Sequence, residues 1–334
     1  MNKPIIATLF AILAAVLYAI SMPASKVLLE SVSPMMMAAF LYIGAGLGIG
    51  LMFLLSKEAR QGERLDKADL PYTLGMVLLD IAAPIFLMLG LRLTSAANAA
   101  LLNNFEIVAT ATIALALFKE HISKTLWLAL LFITLSSMIL SFEGLAGFKF
   151  SWGSLLVLAA AICWGLENNF TRKISHKNTY EIVTIKGLFS GFGALIIALL
   201  SGNTFPKIGT VLIVLALGYV AYGLSIFFYI KAQHVIGAAK TSAWYAIAPF
   251  VGALLSFIFL KESIGLQYVL ALVLMFLGSA LVTLDTLTKT HSHEHSHTII
   301  GPSSASATPQ TYTHSHKHHH LFDTRKHKHN HLKE

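Results

Sequence analysis

Ten runs of mostly apolar residues, each near the length that crosses a bilayer, alternate with short polar segments along most of this chain. They fall near residues 5–25, 34–55, 71–91, 95–118, 125–142, 152–171, 180–200, 208–230, 238–260 and 265–285. A membrane helix needs about 20 apolar residues to cross roughly 30 Å of hydrocarbon. Within lipid the backbone must satisfy its own polar groups, and a helix does so inside one segment. The pattern therefore predicts an all-α integral membrane protein of ten transmembrane helices. After Leu284-Asp285 the character changes to Ser, Thr, Lys and His. Such a segment has too little apolar surface to offset the entropy of ordering, and a disordered tail is expected over 286–334.

The ten runs form two halves of five. Residues 95–141 and 237–283 align without a gap at 11 identities in 47 positions, and both contain an apolar helix ending in Lys-Glu, at Lys119-Glu120 and Lys261-Glu262. The first run pairs with the sixth, Leu9 to Tyr18 against Leu155 to Trp164. A unit with an odd number of spans must repeat upside down, which is the inverted-repeat layout of many secondary transporters. The expected units are 1–143, 144–285 and the tail 286–334.

Composition excludes a water-soluble core: 56% of the 334 residues are hydrophobic, 12% are charged and mean hydropathy is +0.70, against about a quarter charged in soluble domains. The net charge of +8 does not signal nucleic acid. In the connections and next to the terminal spans, thirteen Lys and Arg lie on the side holding the N-terminus and five on the other, so the positive-inside bias places both termini in the cytoplasm, of a bacterial inner membrane in this reading. A rival reading of the start is a signal peptide, because Lys3 precedes an apolar run ending in Ser21-Met22-Pro23-Ala24. The single cysteine, Cys163, leaves no intrachain disulfide.

Proline marks expected helix breaks at Pro23, Pro84 and Pro249. Gly44, Gly46, Gly48 and Gly50, with Gly187 and Gly191, have the four-residue spacing that lets helices approach closely in lipid. Such faces suit packing within one chain, sliding faces, or a homodimer in place of a monomer.

Asn104-Phe105-Glu106-Ile107-Val108-Ala109-Thr110-Ala111 followed by Leu117-Phe118-Lys119-Glu120, and Ala248-Pro249 followed by Leu260-Lys261-Glu262, resemble the drug/metabolite transporter superfamily, specifically its EamA-like members. Ala14 to Tyr18 and Ala159 to Trp164 fit the same pattern, and the resemblance covers about residues 5–285. It implies a ten-helix inverted repeat that exports small metabolites through a central cavity by alternating access. The family's proline after the mid-helix glutamate is replaced here by Ile107, and the His-rich tail is not a family feature.

A charge at mid-bilayer costs about 2.5–3.5 kcal/mol on insertion scales, so each asks for a reason. Asp80 and Glu106 sit near the middle of consecutive antiparallel spans, and Asn98, Asn103 and Asn104 add polar groups to the second of them. These five are expected to border a substrate cavity, with one carboxylate coupling transport to protons or Glu106 serving only as a packing residue. Tyr222, Trp244 and Tyr245, with Trp164, supply candidate aromatic walls for amphipathic or cationic solutes. Glu167 and Lys186 lie at matching depths and are expected to form a salt bridge, in its functional version an inner gate.

Twelve of the 15 histidines are in the tail: His291, His293, His295, His297, His314, His316, His318, His319, His320, His327, His329 and His331. A tract this dense binds Zn, Ni, Co or Cu in the test tube, and it loses them as it protonates below about pH 6.5. No cofactor is required. The spans hold no inward histidine pair or thiolate cluster, and no nucleophile–base arrangement, HExxH motif or phosphate loop. The leading expectation is a secondary carrier of a small organic solute in the lipid bilayer. A metal-responsive carrier or divalent-cation exporter, and more remotely a membrane-embedded enzyme, are the alternatives.

Overall fold

The computed structural model describes residues 3–57, 62–119, 122–142, 151–174, 176–236, 241, 244–262, 265–299 and 310–321. Ten apolar helices follow in order: α1 Ile5–Leu28, α2 Pro34–Leu55, α3 Lys67–Leu93, α4 Ala96–Leu117, α5 Lys124–Ser141, α6 Trp152–Ile174, α7 Thr179–Leu200, α8 Ile208–Tyr229, α9 Ala248–Leu260 and α10 Leu266–Asp285. Nine are long enough to span a bilayer, and α9 is the short one among the described residues. Expected boundaries hold to within a few residues elsewhere. The chain is an integral membrane protein.

The starts of four helices are set by short polar side chains. Ser33, Ser95, Ser123 and Asn178 each accept a hydrogen bond from the backbone N–H three residues on, worth about 1 kcal/mol apiece. The repeated lysine explains two ends. Lys119 and Lys261 both adopt left-handed backbone, at φ 54° and 53°, a conformation that costs a residue with a Cβ roughly 1–2 kcal/mol. The repeat thus preserves a helix stop as well as an apolar pattern.

Helix breaks follow proline only in part. The helix runs through Pro84. By contrast α4 is interrupted by a turn at Asn103-Asn104, with no proline in it, and a turn at Ala246-Ile247 precedes α9, whose second residue is Pro249. Within α8, Gly218–Leu224 winds as a π-helix before helix resumes over Ser225–Ile236.

The helix neighbours include α1 with α8, α3 with α6, α2 with α7, α4 with α9 and α5 with α10, and also α2 with α8, α3 with α7, α4 with α6 and α1 with α9. Exchanging the halves turns α1–α8 into α3–α6, α2–α8 into α3–α7 and α4–α6 into α1–α9, and each of α2–α7, α4–α9 and α5–α10 into itself. That invariance is what a two-fold relation between inverted repeats requires. The glycine faces are consumed inside this arrangement. A Cβ on Gly46 would stand 2.5–2.9 Å from Leu188 N, Gly187 C and the Leu188 side chain, and one on Gly191 would stand 2.6 Å from Ile43 N. Gly44 and Gly218 similarly meet backbone of α8 and α2. The spacing serves the α2–α7–α8 crossing within one chain.

Let the near face be the one where α1 begins and the far face the one where it ends. On the far face Lys26 Nζ donates to the carbonyls of Leu91 and Thr94, both at 2.6 Å. The Glu262 carboxylate accepts the N–H groups of Ala96 and Ala97 at 2.7 and 2.9 Å. Lys26 thus caps the end of α3. The far face is thereby stitched across both repeats.

The near face carries a charged clasp between the α2–α3 and α6–α7 connections. Lys177 Nζ lies 2.7 Å from Glu63, 3.0 Å from Asp66 and 3.5 Å from Asp69. Arg64 pairs with Glu181 at 3.1 Å, whose other oxygen accepts Leu65 N–H. The Lys177 ammonium holds the Asp66 carboxyl below its ordinary pKa, while the carboxylates raise that of Lys177. A depressed carboxyl contributes stability above its unfolded pKa and loses it as pH falls through the folded value. The clasp should accordingly loosen in acid, below the usual aspartate range. Lys177→Met should speed amide hydrogen exchange over residues 62–69 several-fold at neutral pH, and an unchanged rate would show that the clasp does not order this loop.

Beyond the bundle, Thr288–Ile299 and Gln310–Leu321 pair as an antiparallel two-stranded ladder, joined to the end of α10. A lone two-stranded ladder is marginal in water, in keeping with a segment that has no core of its own. His291, His293, His295, His297, His314, His316, His318, His319 and His320 lie on these strands. His327, His329 and His331 lie outside the described residues.

Candidate functional site

Three carboxylates and one ammonium define the polar centre of the bundle. Lys186 Nζ on α7 lies 3.1 Å from Asp80 Oδ2 on α3 and 3.1 Å from Glu167 Oε2 on α6. Both carboxylates are buried, Asp80 at 0% and Glu167 at 1% exposure. The second Asp80 oxygen accepts Tyr42 O–H at 3.1 Å and Trp164 Nε1–H at 3.2 Å, and Thr171 O–H donates to Glu167. Burial of these charges is tolerated because each is paired and hydrogen-bonded. The expected Glu167–Lys186 contact forms, but as one corner of a knot that also ties in α3.

Asp80 and Glu106 are not brought together. Asp80 is paired with Lys186, whereas Glu106, at the first turn after the α4 break, accepts Asn168 Nδ2–H at 2.6 Å. Asn168 also donates to Thr110 Oγ1, and Asn169 to the Thr110 carbonyl, so the α4–α6 contact is polar along two turns. Hydropathy gives depth but not azimuth, so equal depth of two carboxylates did not make them neighbours.

A cavity of about 670 Å³ lies between these groups. Its lining includes Asn103, Asn104, Glu106, Trp164, Glu167, Asn168 and Lys186, and it continues along Thr171, Thr179, Tyr229 and Thr283, which lie toward the near face. Asp80 does not line it. Five tyrosines make one continuous wall: Tyr42 to Tyr222 at 5.8 Å, Tyr222 to Tyr18 at 5.6 Å, Tyr18 to Tyr245 at 6.0 Å and Tyr245 to Tyr229 at 5.2 Å between ring centroids. The π-helical segment of α8 carries Tyr222 into this row; single π turns inside α-helices are frequent at functional sites.

The other sequence-selected residues divide. Asn103 Nδ2 donates to Tyr18 Oη at 3.1 Å, and Asn104 Nδ2 to Ser279 Oγ at 3.4 Å, so both asparagines hold the α4 break against α1 and α10. Asn98 lies away from the cavity, donating to Thr94, Ser154 and the Leu140 carbonyl near the far face. Trp244 is 43% exposed and absent from the lining, while its neighbour Tyr245 belongs to it. Sequence reasoning missed Asn168, Tyr18, Tyr42 and Tyr229. The adjacent amides Asn168-Asn169 in an apolar helix were a legible signal for the first; nothing in the pattern singled out the tyrosines. Among the described residues no three His, Cys, Asp or Glu side chains gather as a metal site, and the tail histidine side chains lie outside that description.

The EamA-like transporter family model matches this chain twice, over residues 5–142 and 151–284. The chain belongs to the EamA-like transporter family. An uncharacterized transporter of Methanothermobacter thermautotrophicus is 28% identical over 290 residues, covering 80% of this chain and 83% of that protein. The uncharacterized transporter YyaM of Bacillus subtilis is 24% identical over 234 residues, covering 67% and 76%. A solved crystal structure superposes at a TM-score of 0.61 with 18% identity, over 84% of this chain and 96% of that one; this likeness concerns the fold alone. The two family matches fall on the two five-helix halves, as the repeat at Lys119-Glu120 and Lys261-Glu262 implied. This EamA-family protein is a membrane transporter.

Proposed function

We propose that this EamA-family protein exports small organic solutes, such as amino acids, bases or toxic compounds, by alternating access, with the near face and both termini in the cytoplasm of a bacterial cell. The observation that carries the reading is a cavity of about 670 Å³ lined from mid-helix toward the near face, beneath a far face stitched by Lys26 and Glu262. A carrier needs one closed and one open end at a time. The excess of Lys and Arg on near-face connections supports the orientation. The interrupted helix α4 and the turn before α9 meet the cavity at mid-depth, where inverted-repeat carriers place their solutes.

Glu106 is the group we assign to proton coupling, since it holds a hydrogen bond from Asn168 and no ion pair among the described residues. Asp80, neutralised by Lys186, acts as part of a strut. The Glu167–Lys186 pair belongs to that strut more naturally than to a gate, because opening it would strand a buried charge.

Proteoliposomes holding the full chain, preloaded with amino acids, nucleobases, organic cations and Zn, Ni or Co, should show movement of an organic solute that a proton gradient accelerates. Glu106→Gln should remove the gradient dependence. Movement of the metals alone would replace this reading with a divalent-cation exporter served by the tail, and no movement of any solute would overturn transport of these classes.

A further inference from the structure

The charge balance of the cavity says which solutes it fits. Lys186 is the one cation among the described lining residues, and both its carboxylate neighbours are within 3.1 Å. A solute carboxylate would find no free counter-charge there. Glu106 is in the opposite position: its Oε1 accepts from the neutral amide of Asn168, and no ammonium or guanidinium among the described residues pairs with it. One turn earlier, Asn103 is 6% exposed, and its Oδ1 has no hydrogen-bond partner although Nδ2 is bonded to Tyr18. A buried acceptor left unpaired costs about 1–3 kcal/mol, a cost that a donor ligand removes. Beside these acceptors runs the wall of Tyr42, Tyr222, Tyr18, Tyr245 and Tyr229, whose ring faces attract a cation and cover flat apolar surface.

We propose that the solute is a protonated primary or secondary amine with a flat apolar body. Its N–H groups donate to Glu106 and to Asn103 Oδ1, and its body lies along the tyrosines. The inference rests on the exporter reading of this cavity, and it narrows that reading from small organic solutes to amines without a carboxylate. Specificity follows from the two acceptors. An alcohol of the same shape lacks the charge, a carboxylic acid repels Glu106, and a quaternary ammonium has the charge but no N–H for Asn103.

The test is binding to the purified full-length protein in lipid nanodiscs, read by calorimetric titration with 2-phenylethylamine, its N,N,N-trimethyl derivative, 2-phenylethanol, 3-phenylpropionate and phenylalanine. Phenylethylamine is expected to bind at least tenfold more tightly than each of the others. Glu106→Gln should weaken it at least tenfold and Asn103→Ala several-fold, with the melting temperature of each variant showing that it folds. The ligand series on the unaltered protein stands even where a variant does not fold. Equal or tighter binding of phenylalanine or phenylpropionate overturns the amine class, and equal binding of the trimethyl derivative overturns the N–H contacts. Because binding is read without flux, the two readings fail separately. Flux of other solutes without amine binding removes this inference alone, and amine binding without flux in liposomes removes the exporter reading alone.

Discussion

Replacing Lys186 with methionine should cost about 3–5 kcal/mol of stability, the range for removing one partner of a buried pair, and should sharply lower the yield of folded protein. The methionine fills much of the volume and removes the charge. Asp80 at 0% and Glu167 at 1% exposure would then face each other across the gap without the one cation that pairs with them among the described residues. Tyr42, Trp164 and Thr171 would still donate to them, but hydrogen bonds do not cancel two charges in lipid. The loss should be reversible by design. The triple variant Lys186→Met, Asp80→Asn, Glu167→Gln keeps the shape and removes the stranded charges, and it should recover most of the stability. Thermal unfolding in detergent would check both. Equal stability of the single and triple variants would show that the three groups are not coupled. A triple variant that folds but no longer moves solute would give the knot a role in transport beyond holding α3, α6 and α7 together.

Gly46→Val should prevent α2 and α7 from reaching their observed separation. Its Cβ alone would sit 2.5 Å from Leu188 N and 2.8 Å from Gly187 C, and backbone cannot move aside as a flexible side chain does. Overpacking of this kind costs about 1–3 kcal/mol and sometimes more. In a helix crossing that carries Lys186 on one side and Tyr42 on the other, a shift would also misplace the polar knot. Gly50→Ala is the matched control: its Cβ meets only the Thr184 side chain, at 3.1 Å for Cγ2, and should be tolerated. Melting temperatures of the two variants should separate clearly. If both are equally mild, the crossing is looser than the structure draws it. If instead Gly46→Val changes only the association state, the glycine face is an interface between copies.

How much of this could be read in advance depends on which physical property carries it. Helix number and alternation, and the length of every helix but α9, were legible because lipid leaves a chain of 56% hydrophobic residues few ways to satisfy its backbone. The inverted repeat was legible because Lys119-Glu120 and Lys261-Glu262 preserve a helix stop, which local backbone conformation requires. Depth was legible too: Asp80, Glu106, Glu167 and Lys186 all lie within the membrane helices. What each of them faces was not. Helices that are apolar nearly all round have no stripe to point inward, so only the packing of α3, α4, α6 and α7 decided that Asp80 meets Lys186 and that Glu106 is left with Asn168. The break in α4 at Asn103-Asn104 without a proline, and the π-helical segment that brings Tyr222 to Tyr18 and Tyr42, were likewise decided by tertiary contacts. They depend on neighbouring helices: Asn103 and Asn104 are held by Tyr18 of α1 and Ser279 of α10, and Tyr222 meets Tyr18 and Tyr42 across the two halves of the chain.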